Sequence, residues 1–165
     1  MYINISEMKE RDINIMLEQG MSTDSCTCGE LRKAARAVTL LYDNAFKSSG
    51  LLSTQLNLLH VIYKSESIRI SLLAKELGMD RTTLTRNLSV LERQGYINIS
   101  AGKDTRTRIV TITSKGRTTV AKAIPFWNDV QRKVRQQMGE TSWSKLMDNL
   151  SEFIKVADRL NESKE

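Results

Sequence analysis

Apolar residues recur along this chain with two periods, and the switch between them organises it. From Gly29 onward, Leu31, Ala34, Ala35, Val38, Leu41, Tyr42 and Ala45 follow the i, i+3, i+4, i+7 spacing of one helical stripe, predicting a helix that ends near Gly50. A second helix is predicted after Ser53, where Leu56, Leu59 and Ile62 repeat at threes. Ser71 to Leu77 predicts a short helix with Leu73, Ala74 and Leu77 inward, and Gly78 permits a left-handed turn after it. Asp80 is an N-cap candidate for a longer helix whose Leu84, Leu88 and Leu91 face inward until Gly95. Short helix, glycine turn, longer helix is the layout of a helix-turn-helix. The period then drops to two. Tyr96 to Ser100 predicts a strand, Ala101 to Arg106 a polar loop, and the β-branched run Thr107 to Ile112 a return strand. A lone hairpin is marginal in water, so it must lean on the helices, and in this position it reads as a wing.

The flanks return to the helical period. Thr113 caps a helix with the stripe Val120, Ile124, Trp127, Val130, Val134 and Met138, which Pro125 is expected to kink or interrupt. Gly139 breaks the chain, and Ser142 starts a last helix with Trp143, Leu146, Leu150, Phe153, Ile154, Ala157 and Leu160 inward. At the other end, Ser6 to Gln19 predicts a short amphipathic helix with Ile13, Met16 and Leu17 inward, and Met21 to Cys28 a connector. The expected fold is mainly α with a minor β part: a winged helix-turn-helix with long N- and C-terminal helices. Those helices carry more apolar surface than a compact reader covers, which predicts a homodimer packed through both ends. The expected organisation is an N-terminal extension, 1–28, and one domain, 29–165, with the winged helix-turn-helix at about 53–113 and dimerisation helices at about 29–48 and 114–162.

Composition narrows the chemistry. One proline and eight glycines in 165 residues suit a helical chain, and two cysteines cannot build a disulfide framework. No apolar run reaches the ~18–20 residues of a membrane span, and the first residues lack a secretory pattern, so a cytoplasmic protein without membrane contact is expected. The net charge is +6, and between His60 and Arg117 eleven Lys and Arg face five Asp and Glu, so the whole excess sits in about a third of the chain. That concentration points to a face that meets a polyanion. Thr82, Arg86, Ser89 and Arg93 share one side of the longer helix, with Arg81, Thr83 and Thr85 beside them and no acid. A major groove admits one helix, and an arginine can donate twice to the O6 and N7 edge of guanine, so Arg86 is the first choice for a base contact. The loop holds Lys103, Asp104, Arg106 and Arg108. Arg106 at its tip suits the negative potential of a narrow minor groove, with Asp104 holding it in place. No nucleophile elbow, phosphate-cradling glycine loop or histidine pair is present, so neither an enzyme nor a bound cofactor or metal is expected.

The stretch LAKELGMDRTTLTRNLSVLERQGYI from Leu73 resembles the helix-turn-helix of the MarR family. Asp104 to Thr113 is similar to that family's wing signature, D-x-R-x-x-x-x-x-L-T, with Ile112 in place of leucine. The resemblance covers Gly29 onward and leaves the first 28 residues outside it. It implies a dimeric regulator of transcription, usually a repressor on palindromic double-stranded DNA, released by a small ligand or by oxidation. On that footing Cys26 and Cys28 are candidate redox thiols, because helix N-terminal amides favour the reactive thiolate. One residue apart, they would form a strained intramolecular bridge, so a bridge across the dimer or a sulfenic acid suits them better. Tyr42, Phe46, His60 and Tyr63 are candidates for a ligand crevice. The alternative is a winged-helix scaffold that binds only protein.

Overall fold

The computed structural model describes residues 9–20, 26–102, 104 and 106–162. Packing divides the chain into two units, Met1–Leu40 and Leu41–Glu165. In the first, α1 (Glu10–Gly20) opens with Glu10 and Asp12, acids that complement the positive end of the helix dipole. The predicted start at Ser6, the connector Met21 to Ser25 and the side chains of Met16 and Leu17 lie outside the described residues. Helix α2 (Thr27–Phe46) starts two residues before the predicted Gly29 and crosses into the second unit.

The second unit continues through a single 3-10 turn (Lys47–Ser49), α3 (Ser53–Ser65), β1 (Ser67–Arg69), α4 (Ile70–Leu77) and α5 (Arg81–Arg93). Strands β2 (Ile97–Ala101) and β3 (Arg108–Ile112) follow, then α6 (Ser114–Met138) and α7 (Glu140–Glu162). The apolar stripes read from the sequence converge. Leu59 and Ile62 of α3, Leu73 of α4, Leu84, Leu88 and Leu91 of α5, and Val110 of β3 are fully buried in one cluster. Gly78 ends α4 at φ 59°, the left-handed turn expected of it, and its N–H bonds back to Ala74 and Lys75.

Strand β1 was not expected. The sheet is antiparallel in the order β1-β3-β2, with Ile68 opposite Val110 and Ile99 opposite Val110 from the other side. The return strand of the wing is therefore central, and its second neighbour supplies the support that a free hairpin lacks.

Two other expectations change. Pro125 does not interrupt α6, which runs unbroken from Ser114 to Met138. Proline removes one bond to the carbonyl four residues earlier, here on an exposed stretch where water can take that carbonyl. Helix α7 begins at Glu140 rather than Ser142, and none of its residues is buried. Leu146, Phe153, Ile154 and Leu160, predicted to face inward, are exposed in the single chain, as are Trp127 and Met138 of α6.

Helix α6 is joined tightly to the end of the reader. Thr113 caps it, accepting from the Gly116 N–H at 3.0 Å, while its hydroxyl proton reaches the carbonyls of Gly95 and Tyr96 at 2.8 and 3.1 Å. The Thr113 N–H also donates to the Tyr96 carbonyl, at 3.0 Å. Residue 116 must be glycine here, because a Cβ would stand 2.2 Å from the Tyr96 oxygen. Lys115 Nζ donates to the Gln94 carbonyl at 2.7 Å, placing a cation at the negative end of α5.

Candidate nucleic-acid interface

Helix α5 is anchored by its leucines and presents its other side to solvent. Asp80 caps it, Oδ1 accepting from the Thr83 N–H at 2.9 Å. Hydrogen bonds from Thr83 hold the Asp80 carboxyl below its usual range. With Leu84, Leu88 and Leu91 locked in the core, Arg81, Thr82, Thr83, Thr85, Arg86, Ser89 and Arg93 are all exposed. Two hydroxyls are already committed: Thr85 Oγ1 donates to the Arg81 carbonyl at 2.7 Å and Ser89 Oγ to the Thr85 carbonyl at 2.9 Å. Their protons are spent within the helix, so outward they offer lone pairs. A phosphate oxygen, which only accepts, gains nothing from them, whereas the amino groups of adenine N6 and cytosine N4 do.

One acid belongs to this helix, Glu92, and it is turned to another task. Its Oε1 accepts the Ile99 N–H of β2 at 3.1 Å, satisfying the outer edge of the sheet and tying wing to reader. The sequence does not mark Glu92 for this role. Its only signal was being the lone carboxylate within α5.

The wing loop closes on itself. Asp104 Oδ1 accepts from the Arg106 backbone N–H at 3.0 Å and from Arg106 Nε at 3.5 Å, while the Asp104 carbonyl accepts from the Thr107 N–H and hydroxyl. The Arg106 side chain is 91% exposed at the tip. Such an open ion pair adds little stability. Arg108 is exposed on β3, opposite Ala101. Lys103 lies outside the described residues.

A cavity of about 430 Å³ lies between the end of α2, α3 and α6. Tyr42, Phe46 and His60 line it, with Leu56, Val120 and Trp127 among its apolar walls. Tyr63 does not: it is exposed, with the Arg117 guanidinium 5.4 Å from its ring centre. Gln131, which sequence reasoning also missed, donates from Nε2 to Tyr42 Oη at 2.6 Å. Burial pushes the Tyr42 phenol above its ordinary value against the opposing pull of that bond. Only the fold brings the two together, across 89 positions of sequence.

The MarR family sequence model matches residues 49–107, the span from the end of α2 through the wing loop. The chain is 37% identical to the M. tuberculosis transcriptional regulator MosR in a crystal structure with DNA, covering 82% of this chain and 98% of that one with a TM-score of 0.76. The chain belongs to the MarR family. A second MosR crystal structure superposes with a TM-score of 0.74 at 36% identity, covering 84% of this chain and 99% of that one. The S. aureus MepR–DNA complex shares the fold at 18% identity, with coverage of 80% and 98% and a TM-score of 0.71. No curated protein matches the sequence. MarR-family proteins are regulators of transcription and not enzymes, and this winged-helix chain is a regulator of that kind. Cys26 and Cys28 are exposed free thiols at the start of α2. No helix among the described residues is long and apolar enough to cross a membrane.

Proposed function

We propose that this MarR-family protein is a cytoplasmic, sequence-specific repressor that binds palindromic double-stranded DNA as a homodimer. Helix α5 enters the major groove, where Arg86 reads a guanine edge, Thr85 and Ser89 accept from base amino groups, and Arg81 and Arg93 meet backbone. Arg106 enters the adjacent minor groove from the wing, with Arg108 and Lys103 on the flanking phosphates. The observation that carries this reading is an exposed face of α5 with arginines and no free acid, tied through Glu92 to a wing with an exposed arginine at its tip. The MosR relative was solved in complex with DNA, which supports it. Residues of about 29–48 and 114–162 form the dimer. The apolar surface left open on α6 and α7 is what such an interface would cover. Release follows from a small ligand in the cavity beside α6 or from peroxide oxidation of Cys26 or Cys28.

Fluorescence anisotropy on duplex DNA at two salt concentrations tests the reading. With 6–10 phosphate contacts, affinity falls roughly 10³–10⁵-fold between 50 and 200 mM salt. Footprinting on genomic DNA should show half-sites about one helical turn, ~34 Å, apart. Affinity indifferent to salt would favour a protein-binding scaffold instead.

A further inference from the structure

We propose that Arg69, on β1, is a further DNA contact that holds the second phosphate strand beside the wing, so that the wing grips the minor groove with both of its faces. This contact rests on the duplex binding proposed above and adds a residue that neither α5 nor the wing loop supplies. Opposed residues of an antiparallel sheet point to the same face, and successive residues point to opposite faces. Ile68, Ile97, Val110 and Ile112 are buried and mark the face that packs on the helices. Arg108, two residues before Val110, shares that face but lies beyond the core and is exposed. Arg69 pairs with Ile109, so it stands on the other face, level with Ser100, and is exposed as well. It sits one strand over from Arg108, about 4.8 Å, and one residue back along it, about 3.3 Å.

The two arginines thus flank the wing just behind the tip where Arg106 is exposed. A minor groove is about 6 Å wide and is bounded by the phosphates of both strands, so cations on one face of a wing neutralise only one of them. The face with Arg108 is the one that packs on α5 and its neighbours, and it looks toward the strand between major and minor groove. The face with Arg69 looks toward the far strand. Nothing competes for this guanidinium. Among the described residues no ion pair engages Arg69 or Arg108, and the first turn of α4, which follows Arg69 directly, carries no acid. The other strand residues on this face, Ser67, Asn98, Ser100, Ile109 and Thr111, are uncharged, so an approaching phosphate strand meets no carboxylate there. Pairing of β1 with β3 fixes Arg69 to the wing itself.

Fluorescence anisotropy of the full-length protein on a mixed-sequence duplex of about four helical turns tests the contact across 50 to 200 mM salt. Arg69→Ala should flatten the salt slope by ~1 for each wing bound, so its affinity deficit shrinks about 3-fold per wing over that range. Arg69→Lys keeps the charge and should restore the slope. Arg69→Ala combined with Arg108→Ala should flatten it by ~2 per wing, because the two side chains meet different strands. Lys122→Ala removes an equal charge from an exposed position on α6 and should leave the slope unchanged. A parental slope in Arg69→Ala overturns the proposal. So does a double variant no flatter than Arg108→Ala alone, or a change in Lys122→Ala equal to that in Arg69→Ala. A parent chain that binds the duplex without salt dependence refutes the duplex reading itself, and this contact with it; the parent alone reports that failure, before any variant is compared.

Discussion

Replacing Gly116 with alanine tests how the reader is mounted on the helix that follows it. The new Cβ would lie 2.2 Å from the Tyr96 carbonyl oxygen and 2.8 Å from Ile112 Cγ1, whereas ordinary contact begins at 3.4 Å. Helix α6 or the chain at Tyr96 must therefore retreat by about 1 Å. That carbonyl accepts both the N–H and the hydroxyl of Thr113, so the retreat strains two hydrogen bonds of ~1 kcal/mol each. Overpacking of a closed site adds about 1–3 kcal/mol. A loss of about 3 kcal/mol or more follows, which in a chain of this size lowers Tm by about 6–12 °C. In urea the midpoint should fall by about 1–2 M with the slope unchanged. Gly29→Ala is the contrast. There the Cβ meets Cys26 Cβ at 3.7 Å, an ordinary contact in a helix, so the substitution should be neutral or stabilise by up to ~1 kcal/mol. If Gly116→Ala melts within about 2 °C of the parent chain, the close approach of α6 to Tyr96 is wrong.

Three further outcomes are expected. Arg86→Ala should cost ~1–3 kcal/mol on the cognate duplex and relax preference at one base pair per half-site, whereas Arg106→Ala should weaken all duplexes and flatten the salt slope by ~1; an equal loss of Arg86→Ala on random DNA would make Arg86 a backbone contact. Glu92→Ala should loosen the wing and weaken duplex binding while costing only ~1 kcal/mol of stability, and Glu92→Gln should restore binding because its amide oxygen still accepts the Ile99 N–H; identical behaviour of the two variants would refute the strut. Because the native Asp80 carboxyl is held below its unfolded value, its ionised cap stabilises above about pH 4 and is lost as pH falls through the lowered value. Asp80→Asn caps without titrating, so its stability deficit should shrink on acidification, and a deficit constant with pH in urea melts would contradict this.

The winged helix was legible because its cue is periodic. Leu73, Leu84, Leu88 and Leu91 sit at helical spacing and are all buried. Strand β1 was not, since three residues are too few to show alternation and its partner, Ile109 to Thr111, is forty residues away. The exposed face of α5 could be read from spacing alone, because exposure on a helix follows from which side is apolar. Glu92, Gly116 and Gln131 escaped for the opposite reason: each acts through a contact on another element, and Gln131 meets Tyr42 eighty-nine positions distant. Tyr63 shares the aromatic type of Tyr42 and Phe46, but it lies one residue past buried Ile62 and turns outward. The apolar faces of α6 and α7 were visible in the sequence as stripes, although their pattern cannot say whether the surface they seek belongs to the same molecule.

Because β3 runs between β1 and β2, the arm that would touch one groove is woven into the strand that leads directly into α4. Arm and reading helix are thus joined through one sheet rather than hung separately. In the proposed dimer an effector would have to swing both together, so letting go would become a matter of the span between the two copies, and a small shift there would spoil both groove contacts at once.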